Sequence, residues 1–291
     1  MVLCMKSSSK WKWLSALCLL LVSCSGKSDF RQAQVDEFSL TSGFTERNYL
    51  IRVLLPPDYS PDQSYPMITL LDGYFHFKEL GEDLIGLMED GEVQDVIVAG
   101  IFYEDYPFEG KVGNLDNLST IYETRESDLL FPMDTTEEGR IIGGDGNLFY
   151  QFITEELAPV LESTYPTDTA QRTLMGHSYA GYFTLFHMFD KAAQPFFPRL
   201  AALSTAFPYA NGNLFAMEEA VAAAGTNLPY DLYLGVGSLE GTYFNATHDQ
   251  FVEQLETSNP TGLTWTSARF SGSHTFAAND GFIKAIQYFY E

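Results

Sequence analysis

Nine residues, TLMGHSYAG (Thr173 to Gly181), constrain the fold more than any other stretch of this 291-residue chain. The apolar run Thr173 to Met175 predicts the end of a strand, and the amphipathic YAGYFTLFHMF that follows predicts a helix, which leaves Ser178 at the junction. A chain that turns this sharply brings its flanking segments together, so the positions two before and two after the serine must be small, as Gly176 and Ala180 are. The turn pushes the serine hydroxyl into the open. The N–H of Tyr179 falls at the start of the helix, where donors without intrahelical partners and the positive dipole end favour an oxyanion. A plain strand-to-helix turn whose serine only caps the helix fits the same local pattern. What decides between them is whether an acid and a histidine follow in the right places.

A serine hydroxyl becomes a nucleophile when a base takes its proton, and that base needs a carboxylate to fix its tautomer. His274, in SGSHTF, directly follows the predicted strand Thr264 to Phe270. Glu240 lies just beyond the predicted strand Leu232 to Val236, and the interval between the two holds one helix and one strand, as adjacent parallel strands require. The order serine, acid, histidine is that of the α/β-hydrolase arrangement. Asp249 is the alternative acid, since it too lies between Ser178 and His274. Among the other histidines, His248 is expected in the first turn of a helix facing solvent. His187 is expected to be packed or half exposed inside the helix after Ser178, and His177 to point away from the hydroxyl. A second oxyanion donor is expected from the loop after the strand Met67 to Leu71, where Gly73 permits the bend, the N–H of Tyr74 is the candidate, and Asp72 holds the turn.

Beyond Leu40, short apolar runs alternate with longer amphipathic ones, which predicts an α/β fold with a mostly parallel central sheet and helices on both faces. The remaining strands are expected at Tyr49 to Leu55, Val96 to Ile101 and Leu200 to Leu203. Helices are expected at Leu148 to Ser163, Tyr179 to Phe189, Leu214 to Ala224, Thr247 to Glu256 and Asp280 to Tyr290. Tyr103 to Asn147 lacks strong periodicity and follows a strand's carboxyl end, so it is expected to be a lid or binding loop. Its aromatics Tyr103, Tyr106, Phe108 and Tyr122 could stack on a ring or pack the loop. Gly143 to Gly146, GGDG, lacks phosphate- and calcium-loop spacing and reads as a helix lead-in.

The amino terminus stands apart. Lys6, Lys10 and Lys12 precede an apolar stretch, Leu14 to Val22, too short for a lasting membrane span, which predicts a leader over residues 1–23. Leu21-Val22-Ser23-Cys24 resembles the bacterial lipoprotein box, implying a lipidated Cys24, a tether over 24–37, a domain over 38–291 and a place on the cell envelope. The chain's three cysteines, Cys4, Cys18 and Cys24, all fall in or at the end of this leader, so the domain has no thiolate nucleophile or cysteine metal site. With 39 acidic against 16 basic residues the net charge is −23, which disfavours a nucleic-acid partner.

TERNYLIRVLLPPDY, SYPMITLLDGYFHF, GGDGNLFYQFITEELAPVLESTY and RTLMGHSYAGYFTLF together resemble the putative-esterase branch of the α/β hydrolases, in particular its siderophore-esterase-like members. The resemblance implies Ser178 as nucleophile, His274 as base and the Tyr74 and Tyr179 N–H groups as an oxyanion hole, with no metal or organic cofactor. It leaves the acid open. The substrate class implied is a small-molecule or glycan ester: an acylated glycan, a phenolic ester or a siderophore lactone. Acyl transfer by the same residues, and a non-catalytic surface binding protein, remain open at this point. Where relatives carry Arg and Asp before Thr-Pro, this chain has Arg125, Asp128 and Pro132. Arg125 and His76 are the candidate substrate-binding side chains, with a structural ion pair the competing role for Arg125.

Overall fold

A computed structural model describes residues 33–103, 115–136 and 138–291. The leader, Cys24, most of the tether, Tyr106 and Phe108 lie outside the described residues. The first strands are β1 (Val35–Thr41), β2 (Asn48–Leu54) and β3 (Tyr65–Leu70), followed by α1 (Gly73–Glu89), β4 (Ile97–Tyr103) and α2 (Leu115–Leu129). A two-stranded hairpin, β5 (Asp134–Thr135) and β6 (Ile141–Ile142), leads into α3 (Gly146–Gln151), which continues through a π-helical turn, Phe152–Leu157, into α4 (Ala158–Thr164). The second half alternates: β7 (Thr167–His177), α5 (Tyr179–Asp190), β8 (Arg199–Leu203), α6 (Asn213–Ala223), β9 (Asp231–Gly237), α7 (Gly241–Ser258), β10 (Thr264–Phe270) and α8 (Ala278–Tyr290).

Eight strands form one sheet in the order β1-β2-β4-β3-β7-β8-β9-β10. The β1–β2 and β2–β4 pairs are antiparallel, and every pair from β4 to β10 is parallel. The chain reverses its direction of travel across the sheet between β3 and β7, and a crevice at the carboxyl ends of strands at such a point is where open α/β sheets bind ligands.

Both faces are covered, which is why the central strands read as continuous apolar runs. Successive β4 residues show the alternation: Ile97, Ala99 and Ile101 join one core with Tyr182, Phe183 and Phe186 of α5, whereas Val98 and Phe102 join the other. That second core is closed by Phe77, Leu80 and Leu84 of α1 and by Phe282, Ile286 and Phe289 of α8. Each such fully buried side chain contributes about 1.5–3 kcal/mol relative to exposure.

Several expected boundaries move. Val35 to Phe38 is already strand, with β1 pairing along β2 from Val35↔Leu54 to Thr41↔Asn48, so the domain begins before residue 38. Tyr103 to Asn147 is not loop throughout, because α2 and the β5–β6 hairpin lie within it. Helix α7 starts at Gly241 rather than Thr247, and this turns His248 inward: it is buried, 2.9 Å from Ser267 Oγ, instead of facing solvent. GGDG does lead into a helix, with Asp145 at the N-cap position of α3.

His187 is fully packed, stacked on Tyr150 with ring centroids 4.1 Å apart. Burial holds its pKa at about 3, against a smaller upward pull from Asp190. The folded state therefore stays unprotonated while the unfolded chain takes up a proton near its ordinary pKa of about 6.5. Stability from this group is complete above that value and is lost as pH falls towards 3. His187→Phe is expected to lose about 2 kcal/mol less than the parent between pH 7.5 and pH 5, since each pKa unit of difference is about 1.4 kcal/mol. Urea unfolding at the two pH values measures this; parallel losses in the two proteins would refute it.

Candidate active site

The turn at Ser178 has the geometry its sequence demands. Ser178 lies at φ 62°, ψ −115°, outside the regions that L-residues ordinarily occupy, a conformation that costs about 1–3 kcal/mol and persists only where neighbours enforce it. They do so through hydrogen bonds: its N–H donates to Leu203 O at 2.9 Å, and its carbonyl accepts from Tyr182 N at 3.0 Å and Ala206 N at 3.2 Å. Crowding is extreme on the other side of the turn. A Cβ on Gly176 would sit 2.2 Å from the Ala180 carbonyl oxygen and 2.9 Å from the Ala180 methyl, so the methyl at residue 180 is accommodated because residue 176 has none. Tyr179 occupies the first position of α5.

Glu240 and His274 come together as the sequence predicts. His274 Nδ1 lies 2.7 Å from Glu240 Oε2. The other carboxylate oxygen accepts from Ser204 Oγ and from the Gly237 N–H, both at 2.5 Å. The Glu240 side chain is 0% exposed while that of His274 is 34% exposed. Burial alone would raise the Glu240 pKa, but the hydrogen bonds from His274, Ser204 and Gly237 outweigh it and hold the carboxyl below its ordinary value. The carboxylate form is thus the one at neutral pH. Gly237 has to be glycine here, since a Cβ would meet Glu240 Oε1 at 2.7 Å and Gly272 O at 2.7 Å. Asp249, the alternative acid, lies on the outer face of α7 and bonds Arg269 instead.

The imidazole of His274 is held between two rings, His177 and Phe244, each with its centroid 4.5 Å away. Since His177 precedes Ser178, this contact sets the His274 imidazole against the elbow. His177 therefore does not simply point away from the site: it is buried against the His274 ring, with burial, His76, His274 and Arg125 all holding its pKa well below the ordinary value. His76 is not on the surface of the cleft either. Its ring is buried against His177 at 5.4 Å and Phe282 at 5.2 Å, and burial lowers its pKa to about 4.

On the opposite side of the elbow, Tyr74 falls in the first turn of α1, after Asp72 at φ 53°. A Cβ on Gly73 would lie 3.0 Å from the Ile101 carbonyl and 2.7 Å from the Phe102 ring, so glycine lets α1 begin directly over β4. Of the two roles open to Arg125, the ion pair is formed. Its Nε donates to both Asp72 oxygens, at 2.8 and 2.9 Å, and its Nη2 lies 3.5 Å from the His177 carbonyl. The guanidinium also covers the rings of Tyr179 and Phe75, 5.1 and 5.8 Å from their centroids. One side chain from α2 thus ties the segment before Tyr74 to the segment before Tyr179. Beside it, Arg140 pairs with Glu126, and Arg47 with Asp128 at 2.5 Å and Asp145 at 2.7 Å. Asp128 also accepts from Tyr49 OH at 2.7 Å, yet burial pushes its pKa up to about 7.

Ser204 escaped the sequence reading. It sits one residue beyond β8, at φ 46°, and its N–H donates to Gly235 O at 2.7 Å. Aligning the carboxyl ends of the predicted adjacent strands would have placed this hydroxyl beside Glu240.

The strand order, the elbow between β7 and α5, and the acid and histidine after β9 and β10 define an α/β-hydrolase fold. Residues 42–278 match the model of the family described as "Putative esterase", and the chain belongs to that family. The apo-salmochelin esterase of Escherichia coli O6:H1 is 30% identical over 139 residues, covering 48% of this chain and only 42% of that protein. The ferri-bacillibactin esterase BesA of Bacillus subtilis is 26% identical over 239 residues, covering 80% of this chain and 81% of its own. The crystal structure of the BES protein from Bacillus cereus shares the fold with a TM-score of 0.75 at 23% identity, covering 92% of this chain and 98% of that one.

Removing Arg125 strands a buried carboxylate. Arg125→Met is expected to lower stability by about 3–5 kcal/mol, and adding Asp72→Asn should recover part of the loss. Urea unfolding of the single and double variants checks this; a single variant as stable as the parent would show that the pair contributes nothing.

Proposed function

We propose that the protein is a serine esterase that cleaves carboxylic esters through an acyl-enzyme. The observation that carries the proposal is the 2.7 Å contact between His274 Nδ1 and Glu240 Oε2, with the His274 ring packed on the residue before Ser178. With Nδ1–H committed to the carboxylate, Nε2 is the nitrogen left to act as base. Ser178 Oγ attacks the ester carbonyl and passes its proton to His274 Nε2. The Tyr74 and Tyr179 N–H groups at two helix starts take the negative oxygen. Collapse of the tetrahedral intermediate returns the proton to the leaving alkoxide, and water repeats the sequence to free the acid. Glu240 stabilises the imidazolium formed in each half-reaction without itself taking the proton.

For the substrate, the relatives' names point to siderophore esters, which we rank above acylated glycans and phenolic esters. The leader carries the second part of the reading: removal of residues 1–23 and lipidation of Cys24 would hold the domain on a bacterial membrane.

Purified protein should react with a fluorophosphonate probe, and Ser178→Ala should lose both that reaction and roughly 10⁴–10⁶ in kcat. Glu240→Gln should cost about 10⁴ in kcat, as loss of the orienting acid does elsewhere, whereas Asp249→Asn should stay within about two-fold. Equal labelling of the Ser178→Ala variant would sink the nucleophile assignment, and the reverse order of the two acid variants would exchange their roles. Incorporation of labelled palmitate by the full-length chain, lost in Cys24→Ser, tests the anchor; a processed chain without label would exclude it.

A further inference from the structure

Packed on the proposed base is a second histidine, His177, that the steps above do not use, and its surroundings give it a part in them that rests on the esterase reading. An imidazole bonded through Nδ1 alone can still tilt about that bond. A base aimed at a serine therefore needs its ring faces and its backbone held as well. Glu240 supplies the bond at 2.7 Å, and His177 and Phe244 supply the faces, each ring centroid 4.5 Å from that of His274.

The backbone is the weaker point. The turn carrying His274 is tied by Leu239 N to Gly272 O at 2.9 Å and by Ala277 N to Ser273 O at 3.0 Å. Among the described residues, no backbone–backbone hydrogen bond uses the His274 peptide itself. The His177 ring bonds that backbone instead, in the sense that favours a proton on the ring, so the ring N–H donates and the His274 carbonyl accepts. Nε2 of His177 is buried without a partner, which leaves Nδ1 as the donor.

For packing alone, a histidine is a poor occupant of this position. Burial, with His76, His274 and Arg125 adding to it, keeps the ring uncharged at neutral pH, and its second nitrogen has given up water without gaining a partner. Phenylalanine or leucine would fill the space without that loss, but neither can donate. The donor is also rigidly mounted. His177 is the last residue of β7, its carbonyl lies 3.5 Å from Arg125 Nη2, and its ring is backed by His76 at 5.4 Å. Ser178 is the next residue, so the nucleophile and the base are joined by one peptide unit and one side chain.

We propose that His177 is a positioning residue for the reaction: by donating Nδ1–H to the His274 carbonyl and covering one face of its ring, it sets the distance between His274 Nε2 and Ser178 Oγ. Two variants separate the donor from the bulk. His177→Phe keeps a ring and removes the N–H, whereas His177→Asn removes the ring and places an amide N–H close to where Nδ1 stood.

The test measures kcat and KM on p-nitrophenyl acetate, together with the rate of fluorophosphonate labelling. His177→Phe is expected to lose at least about ten-fold in kcat and in labelling rate with KM within about two-fold, because a misplaced base slows the chemical step and not binding. His177→Asn is expected to recover to within about three-fold of the parent. A Phe variant as fast as the parent would overturn the role, and equal losses in the two variants would overturn the part given to the donor. The bond itself is read without turnover, from long-range 1H–15N spectra of the parent protein near neutral pH. These should show His177 as the uncharged Nδ1–H tautomer, and the Nε2–H tautomer would overturn the bond. A parent protein that shows the Nδ1–H form but neither cleaves the ester nor takes the label would overturn the esterase reading instead.

Discussion

Three donors converge on the buried carboxylate of Glu240, and each comes from a different part of the sheet: Ser204 after β8, the Gly237 amide at the end of β9, and His274 after β10. A desolvated carboxylate without partners would be costly by several kcal/mol, so the carboxyl ends of three adjacent strands are held in register by the need to satisfy one group. The serine turn is joined to the same assembly by backbone, since Ser178 N bonds Leu203 O and Ser204 N bonds Gly235 O. The histidine completes it through its packing on His177.

A second buried charge does the corresponding task on the other side of the turn. The carboxylate of Asp72 occupies the N-cap position of α1 but makes no cap bond, because both of its oxygens are taken by Arg125. An aspartate before a helix usually satisfies the helix's own N–H groups. Here no side-chain cap bond forms, and the Asp72 carboxylate is turned towards α2 instead. The helix start and the ion pair are one device.

Much of this was legible in the sequence because its signals are local. The small residues at 176 and 180, the apolar runs of β7, β9 and β10, and the positions of Glu240 and His274 just beyond strands each depend on a few neighbours. What escaped depends on contacts distant in sequence. Helix α7 begins without a side-chain cap, so nothing in the residues around Gly241 announced it, and the inward turn of His248 went unseen with it. β1 exposes Glu37, Ser39 and Thr41 on one face, buries none of its residues fully and pairs on one edge only, so it offers only Phe38 and Leu40 as a short apolar signal. Ser204 and the Arg140–Glu126 pair carry no motif at all; their roles exist only once β8 lies beside β9 and the hairpin folds back on α2.

The way Arg125 and Arg47 moor α2 has a bearing on how such a scaffold can diversify. β4 is fixed in the sheet up to Tyr103, and α2 is pinned from its far end, through Arg125 to Asp72 and through Asp128 to Arg47. None of the described contacts of Ser178, Glu240 and His274 comes from the chain between those two anchors. Because the entropy of closing a loop grows only with the logarithm of its length, doubling that stretch costs about 0.6 kcal/mol. Descendants of one ancestor can lengthen, shorten or rewrite it while inheriting the contacts around Ser178, Glu240 and His274 intact.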